Sequence, residues 1–204
     1  SGPGHQYRVG RRRVVSVSYL DNAATTPVRR EVLEAMTPYL TSHFGNPSSH
    51  HTVGEQAAHA LADARARVAA VLGMRATDVI FTSGATEANN LAIKGVAIAA
   101  QQRRGARHVV TTPIEHESVL ASVDYLTRIH GFEATLVPVD ATGRVDPDAV
   151  AAAIRDESAI VSVGYANNEI GTVQDVDGLV TAVAGRVPLH LDAVQAAGWL
   201  PLNG

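Results

Sequence analysis

Several polar side chains suited to binding a charged ring follow stretches that we predict as strands. They are Thr86, His116, Asn168, Asp192 and Gln195. The Asp192 carboxylate is suited to pair with a protonated pyridine nitrogen, and a ring that holds this proton acts as an electron sink. The flat ring of His116 can stack on such a cofactor, while the Asn168 and Gln195 amides can donate to its oxygens. Together these residue types indicate an aromatic, charged ligand.

An anion site is predicted where an apolar run meets a helix. Residues 79–81 are of strand length and rich in β-branched and aromatic side chains. Ser83 and Gly84 break the run with turn chemistry, and a helical pattern begins at Ala85. The free amides and the dipole of that helix start favour an anion, Gly84 permits close approach, and the Thr86 hydroxyl adds a donor. We therefore expect a phosphate there, with an ordinary joint capped by Ser83 as the open alternative.

Each of the other side chains also has a simpler role that the sequence leaves open. Asp192 directly follows an apolar strand, which predicts a buried carboxylate with a cationic or donor partner, but an aspartate there also caps a following helix. The simpler roles of the other three are a solvent-facing position for Gln195, a helix start for His116 and a turn position for Asn168. Their recurrence at several strand exits favours ligand binding more strongly than any single motif does.

Composition predicts a soluble, globular, cytoplasmic protein. The chain has 204 residues, 46% hydrophobic and 18% charged, with a net charge of −3. This charge does not predict binding to nucleic acid or to a membrane, and no apolar run is long enough to span a bilayer. Residues 14–18 are too short and polar for the apolar region of a signal peptide. With no cysteine in the chain, and with His50 and His51 adjacent, we expect no metal site.

Strands alternate with helices along the chain, which predicts the α/β class with a mostly parallel sheet flanked by helices. Ligands of such sheets bind beyond the carboxyl ends of the strands. The arm 1–18 is predicted to be basic and weakly structured, with a strand at 14–17. Helices are predicted at residues 29–40, 54–72, from 85 onward, 116–129, 147–154 and 177–184, and strands at 79–81, 107–112, 133–137, 159–165 and 187–191.

Six runs along the chain carry a family resemblance. They are residues 19–27 (YLDNAATTP), 44–49 (FGNPSS), 81–87 (FTSGATE), 115–116 (EH), 167–174 (NNEIGTVQ) and 192–195 (DAVQ). In this order they resemble the N-terminal part of a cysteine desulfurase of the NifS/IscS type, within the class V aminotransferases. The resemblance implies the fold type I large domain of transferases that use pyridoxal 5′-phosphate. It makes residues 19–204 an incomplete part of that domain, without its C-terminal part and small domain.

The resemblance also implies a role for each candidate residue. Ala85 and Thr86 hold the cofactor phosphate, His116 stacks on the ring as a catalytic residue, Asp192 pairs with the ring nitrogen, and Asn168 and Gln195 contact the side of the phenolic oxygen, Asn168 also lying near the substrate. The implied reaction removes sulfur from L-cysteine, giving alanine and a persulfide on the enzyme. The implied partners are a second copy of the chain and a sulfur acceptor or iron–sulfur scaffold protein.

Three functional residues of that family are absent from the chain. They are the lysine that binds the cofactor covalently, the cysteine that receives sulfur, and the arginine that holds the substrate carboxylate. Lys94, the only lysine, lies about 12 Å along its helix from the phosphate end, so we interpret it as a surface residue and expect the chain alone to be inactive. Another class V enzyme, such as a selenocysteine lyase or an aminotransferase, and a non-catalytic partner subunit remain alternatives.

Overall fold

The computed structural model describes residues 6–8, 14–16 and 18–202, the first two stretches by their backbone alone. It divides into two compact units, Ser1–His59 and Ala60–Gly204. The remaining residues of the predicted N-terminal arm lie outside the described part. Helix α2 (Thr52–Leu72) ends directly before Gly73, which has φ +67°.

The first unit contains a short strand pair and one helix of its own. β1 (Gln6–Arg8) pairs antiparallel with β2 (Val14–Ser16), and β2 lies where the sequence predicts a strand. Helix α1 (Arg30–Thr41) lies where the periodicity predicts it. Its apolar side chains, among them Leu33 and Leu40, remain 45% to 70% exposed in the described chain.

The second unit is built from alternating helices and strands. After a 3₁₀ turn at Ala76–Asp78, its helices are α3 (Ala85–Arg104), α4 (Glu117–His130), α5 (Pro147–Ala153) and α6 (Val176–Val183), and its strands are β3 (His108–Thr111), β4 (Glu133–Leu136), β5 (Ser158–Gly164) and β6 (Leu189–Asp192). The four strands are parallel, in the order β4-β3-β5-β6. The predicted α/β architecture with a mostly parallel sheet is therefore confirmed.

The sheet order creates a switch point between β3 and β5. The chain leaves β3 through α4 to reach β4 on one side, then returns through α5 to β5 on the other side. Connections that diverge in this way leave a crevice beyond the carboxyl ends of the two central strands, which is where ligands of open α/β sheets bind. The topology alone therefore predicts a ligand-binding site in this crevice.

Each face of the sheet has its own apolar core. Val109 and Ile160 pack with side chains of α3 and α4, whereas their neighbours Val110 and Val161 pack with α5 and α6. This alternation is the two-residue period of a strand covered on both faces. Each of these four side chains is at most 1% exposed, and full burial of one contributes about 1.5–3 kcal/mol.

The strand predicted at residues 79–81 is not formed. These residues connect the 3₁₀ turn to α3 without strand structure, and Ile80 and Phe81 are 70% and 47% exposed. Strand propensity measures how well side chains fit a paired, half-buried surface, and no described strand lies beside this run to supply the pairing. The turn and helix start that follow it are present nonetheless.

Burial favours the neutral form of two sheet histidines. His108, 1% exposed, bonds Ser158 Oγ through Nδ1 at 2.7 Å and Thr135 Oγ1 through Nε2 at 2.8 Å, and so joins β4, β3 and β5. His190 on β6 bonds Ser162 Oγ through Nδ1 at 2.9 Å. Burial is the largest cause that lowers the pKa of both rings below the ordinary value of 6.5.

We predict that His108 and His190 make the chain lose stability as the pH falls from about 8 to about 5. Both pKa values are lower in the folded chain than in the unfolded one, so stability present above pH 6.5 is lost as the pH falls through the lowered values. Thermal unfolding followed by circular dichroism measures this loss. The His108→Gln variant should lose less of its stability over this range, and the exposed control His59→Gln should match the parent chain. An equal loss of stability in the parent chain and in the His108→Gln variant would contradict the prediction.

Candidate functional site

A cavity opens at the carboxyl ends of β3, β5 and β6, beside the first turn of α3. Five of the six candidate residues line it: Ala85, His116, Asn168, Asp192 and Gln195. Thr86 is not among the lining residues, and its side chain is exposed. The cavity lies at the switch point of the sheet, so side chains that are distant in sequence share one wall.

The helix start at α3 has the form that the sequence predicts. Gly84 is the N-cap residue, no side chain caps the helix, and the first amides of a helix lack intrahelical acceptors. The alternative in which Ser83 caps the helix is wrong, because its hydroxyl donates to the Glu87 carboxylate at 2.5 Å and its amide does so at 2.7 Å. These two bonds lower the pKa of Glu87. The amides of Ala85 and Thr86 are left as the donors available to an anion.

His116 is the N-cap residue of α4, and its orientation is fixed by a single neighbour. Its Nδ1 accepts the Ser118 amide at 3.1 Å and lies 2.8 Å from Ser118 Oγ. Because Nδ1 acts as an acceptor, the neutral ring carries its proton on Nε2. The helix-start role and a role in the cavity are therefore compatible, since capping uses Nδ1 and leaves Nε2 for a second partner.

Asp192 ends β6 and is held by two donors. Its Oδ2 accepts from Asn89 Nδ2 at 2.7 Å, and its Oδ1 accepts from the Val194 amide at 3.1 Å. The carboxylate was predicted to be buried and is half-buried, and it lines the cavity. It caps no helix, because the described residues that follow it, 193–202, contain turns and no helix, and its Oδ1 binds the first of these turns.

Sequence reasoning missed Asn89, which connects these groups. Asn89 is 4% exposed, and its Nδ2 donates both to Asp192 Oδ2 and, at 2.9 Å, to Ser118 Oγ. The signal was present in the helical period, since Asn89, Ile93 and Ala97 form the buried stripe of α3. An asparagine on a buried stripe requires polar partners.

The loop between β5 and α6 is fixed by hydrogen bonds of its own. Asn167 Oδ1 accepts the amides of Glu169 and Ile170, and its Nδ2 donates to the Ile114 carbonyl at 3.1 Å, which ties the loop to the turn after β3. Asn168 is exposed, and its Nδ2 donates to Glu169 Oε1 at 3.2 Å. Asn168 is therefore a turn residue, as the simpler alternative expected, and it also lines the cavity.

Gln174 anchors the far end of the same loop. It is 6% exposed, its Oε1 accepts the Val145 amide at 3.0 Å, and its Nε2 donates to the Gly143 carbonyl at 2.8 Å. Gly143 has φ +79°, and a Cβ there would overlap the Ile170 side chain. Close packing of these two turns holds the loop that carries Asn168.

Lys94, interpreted from the sequence as a surface residue, packs against a neighbouring helix. It is half-buried, its Nζ donates to Asn90 Oδ1 at 2.5 Å, and it lies 4.3 Å from the centroid of the Tyr125 ring. An ammonium group over an aromatic face gains a favourable electrostatic contact. Lys94 does not line the cavity, so its amine is directed to α4 rather than to the candidate site.

Sequence reasoning also missed Glu115, because residue type alone does not show that this side chain is buried. The side chain is 9% exposed and lines the cavity beside His116. Burial raises the pKa of Glu115 above its ordinary value of 4.5.

Within residues 6–8, 14–16 and 18–202, no group of His, Asp and Glu side chains is arranged to hold a metal ion, and no helix is long and apolar enough to cross a bilayer.

Comparisons with known proteins match this architecture. Residues 18–203 match the family model Aminotransferase class-V. The chain is similar to cysteine desulfurase IscS of Methanosarcina thermophila (46% identity over 186 residues) and of Dictyoglomus turgidum (45% over 186), covering 91% of this chain and 45% and 46% of those proteins. It is also similar to solved structures of a NifS-like protein (TM-score 0.84, 38% identity, covering 89% of this chain and 50% of that one) and of SspA in complex with cysteine (0.86, 37%, 92% and 53%). The resemblance seen in the sequence is confirmed, and the chain spans about half the length of the curated relatives it matches.

We predict that Asn89→Ala destabilises the second unit by about 1–3 kcal/mol, because Asp192 Oδ2 and Ser118 Oγ each lose their amide donor. Urea unfolding measures the loss. The matched control is Asn90→Ala on the same helix, which removes an exposed hydrogen bond to the Thr86 carbonyl and the contact with Lys94, and should cost less. Equal losses in the two variants would show that Asn89 has no special connecting role.

Proposed function

Since the chain belongs to the class V aminotransferase family, we propose that its cavity binds pyridoxal 5′-phosphate and that the chain is the cofactor-binding part of a cysteine desulfurase. The observation that carries the proposal is the convergence of Ala85, His116, Asn168, Asp192 and Gln195 on one cavity. The donor set fits the ligand at both ends. Helix amides at Ala85 suit a phosphate, and a carboxylate at Asp192 suits a protonated ring nitrogen.

In this proposal the bound cofactor supplies an electron sink, and the residues of the chain bind and orient it. The amides of Ala85 and Thr86, with the Thr86 hydroxyl, hold the phosphate. Asp192 keeps a proton on the ring nitrogen, and the two donors on its own oxygens fix the direction of the carboxylate. His116 stacks on the ring as the catalytic side chain of this part, with Nε2 as the atom that exchanges a proton, since Nδ1 accepts the Ser118 amide.

Asn168 and Gln195 complete the proposed contacts. Both line the cavity and carry amide groups, which are suited to donate to the phenolic oxygen of the ring. Asn168 is exposed at the rim, so it is also the residue proposed to contact the substrate. Its loop is anchored through Asn167 and Gln174, which limits how far the amide can move.

The proposed substrate is L-cysteine, whose sulfur would leave as a persulfide on a cysteine side chain with alanine as the other product. The name of the related Methanosarcina thermophila protein, cysteine desulfurase IscS, supports this substrate over a selenocysteine lyase or an aminotransferase role. This chain has one lysine and no cysteine, so the covalent lysine and the sulfur-accepting cysteine are not supplied by its residues. We propose that residues 19–204 are part of a larger cofactor-binding domain, preceded by the arm 1–18.

The proposed setting of the enzyme follows from the same resemblance. We propose that the complete protein is a cytoplasmic homodimer that passes sulfur to an acceptor or iron–sulfur scaffold protein. The name IscS of two related proteins supports the sulfur-transfer role. A non-catalytic partner subunit is the rival, and it would be favoured if a chain with its own lysine restored no sulfide release when mixed with this one.

We predict that Asp192→Asn weakens binding of pyridoxal 5′-phosphate on the order of tenfold, because a charge-assisted hydrogen bond to the ring nitrogen is replaced by a neutral one. Equilibrium dialysis of the chain with the cofactor measures the dissociation constant. The control is Asp156→Asn, an exposed aspartate outside the cavity, which should bind as the parent chain does. Equal affinity for all three chains would exclude Asp192 as the partner of the ring.

We predict that Lys94 forms no reducible adduct with the cofactor and that the chain alone releases no sulfide from L-cysteine. Its amine bonds Asn90 and lies over the Tyr125 ring, away from the cavity. Borohydride reduction of the chain with cofactor, followed by peptide mapping, tests for the adduct, with Lys94→Arg as the control. A reduced adduct at Lys94 accompanied by sulfide release would overturn this part of the proposal.

A further inference from the structure

The floor of the cavity contains a carboxyl group for which the proposed function has no role. Glu115 lies in the turn between β3 and α4, is 9% exposed, and lines the cavity together with His116 and Asp192. Its Oε1 accepts the Thr112 hydroxyl at 2.6 Å, a bond buried inside the unit. One carboxyl oxygen, Oε1, is therefore held by a hydrogen bond, whereas the other, Oε2, has a different environment.

Glu115 Oε2 is buried and has no hydrogen-bond partner among the described residues. It packs against the end of β5, where a Cβ placed on Gly164 would lie 3.3 Å away. The Gly164 backbone lies close to the carboxyl group without completing a hydrogen bond to Oε2. An ionised carboxylate with one such oxygen would lack the donors that a buried charge requires. A protonated carboxyl group carries no charge and therefore requires fewer donors.

The charges around Glu115 also favour its protonated form. Asp192 and His116 are the other titratable side chains that line the cavity. Burial is the main cause that raises the pKa of Glu115, and the negative charge of Asp192 adds to the rise. The hydrogen bond from Thr112 and the nearby Gly164 amide oppose it. No lysine or arginine lines the cavity in the described part of the chain, so no cation there compensates a second carboxylate.

We propose that Glu115 is a positioning residue held uncharged in the cavity floor, so that Asp192 supplies the only negative charge among the described residues that line the cavity. The separation of roles is chemical. Asp192 attracts a cationic ring nitrogen, whereas a neutral Glu115 supports the cavity floor through its bond with Thr112 without competing for that cation. The ligand identity rests on the proposed function, but the charge state of Glu115 does not.

The charge state is tested on the chain without ligand. Infrared spectra at neutral pH should show the carbonyl band of a protonated carboxyl group that is absent from Glu115→Gln and present in the exposed control Glu117→Gln. In thermal unfolding, the stability of the parent relative to Glu115→Gln should be fully present below pH 4.5 and lost as the pH rises through the raised pKa of Glu115. This difference excludes the histidine effect, which both chains share. Absence of the band, or a difference independent of pH, overturns the proposal.

The positioning role is tested by dialysis with pyridoxal 5′-phosphate. Glu115→Gln keeps an uncharged group that accepts the Thr112 hydroxyl, whereas Glu115→Leu keeps the bulk without an acceptor and should bind up to about tenfold more weakly than Glu115→Gln. Equal binding by the two variants overturns the positioning role. If the parent chain fails to bind the cofactor, the proposed function fails, while the infrared and unfolding results still decide the charge state of Glu115.

Discussion

The second unit depends on one buried amide group. Asn89 Nδ2 donates to Asp192 Oδ2 and to Ser118 Oγ, and through these two bonds α3, α4 and the end of β6 are joined. Ser118 in turn donates its amide to His116 Nδ1, so the histidine ring is oriented by the same network. Because the donor is 4% exposed, losing either acceptor would leave a polar group without compensation from water. The position of Asp192 and the angle of His116 are therefore linked energetically.

The network works because the backbone topology has already brought its members together. The parallel sheet directs the ends of β3, β5 and β6 to one edge, and the divergence of the connections around β3 leaves room between them. Apolar burial on both faces fixes the sheet, with α3 and α4 on one side and α5 and α6 on the other. Polar side chains then need only local hydrogen bonds to adopt their directions. Asn167 and Gln174 provide these bonds for the loop that carries Asn168.

Hydrophobic periodicity was sufficient to predict the helices of the second unit and four of its strands, because each buries a regular face. The same rule failed at residues 79–81, where the composition favours a strand but no described strand supplies the hydrogen bonds. Side chains at strand exits were predictable as candidates, since the carboxyl edge is where such sheets bind ligands. Asn89 and Glu115 were not, because their importance comes from burial and from partners distant in sequence. The contact of Lys94 with Tyr125 was not predictable for the same reason, since it belongs to the packing of α3 on α4.

One helix sets both ends of the proposed binding site. The first turn of α3 presents the amides of Ala85 and Thr86 to an anion, and Asn89, one turn later, holds the Asp192 carboxylate that would receive a cation. With a rise of 1.5 Å per residue, these two functions are separated by about 6 Å along the helix axis. The helix thus fixes the distance between the anion site and the amide that holds Asp192, while the strand β6 carries Asp192 itself. A ligand that carries both a phosphate and a protonated ring nitrogen would contact both groups, whereas a simple anion would contact only the first turn of α3.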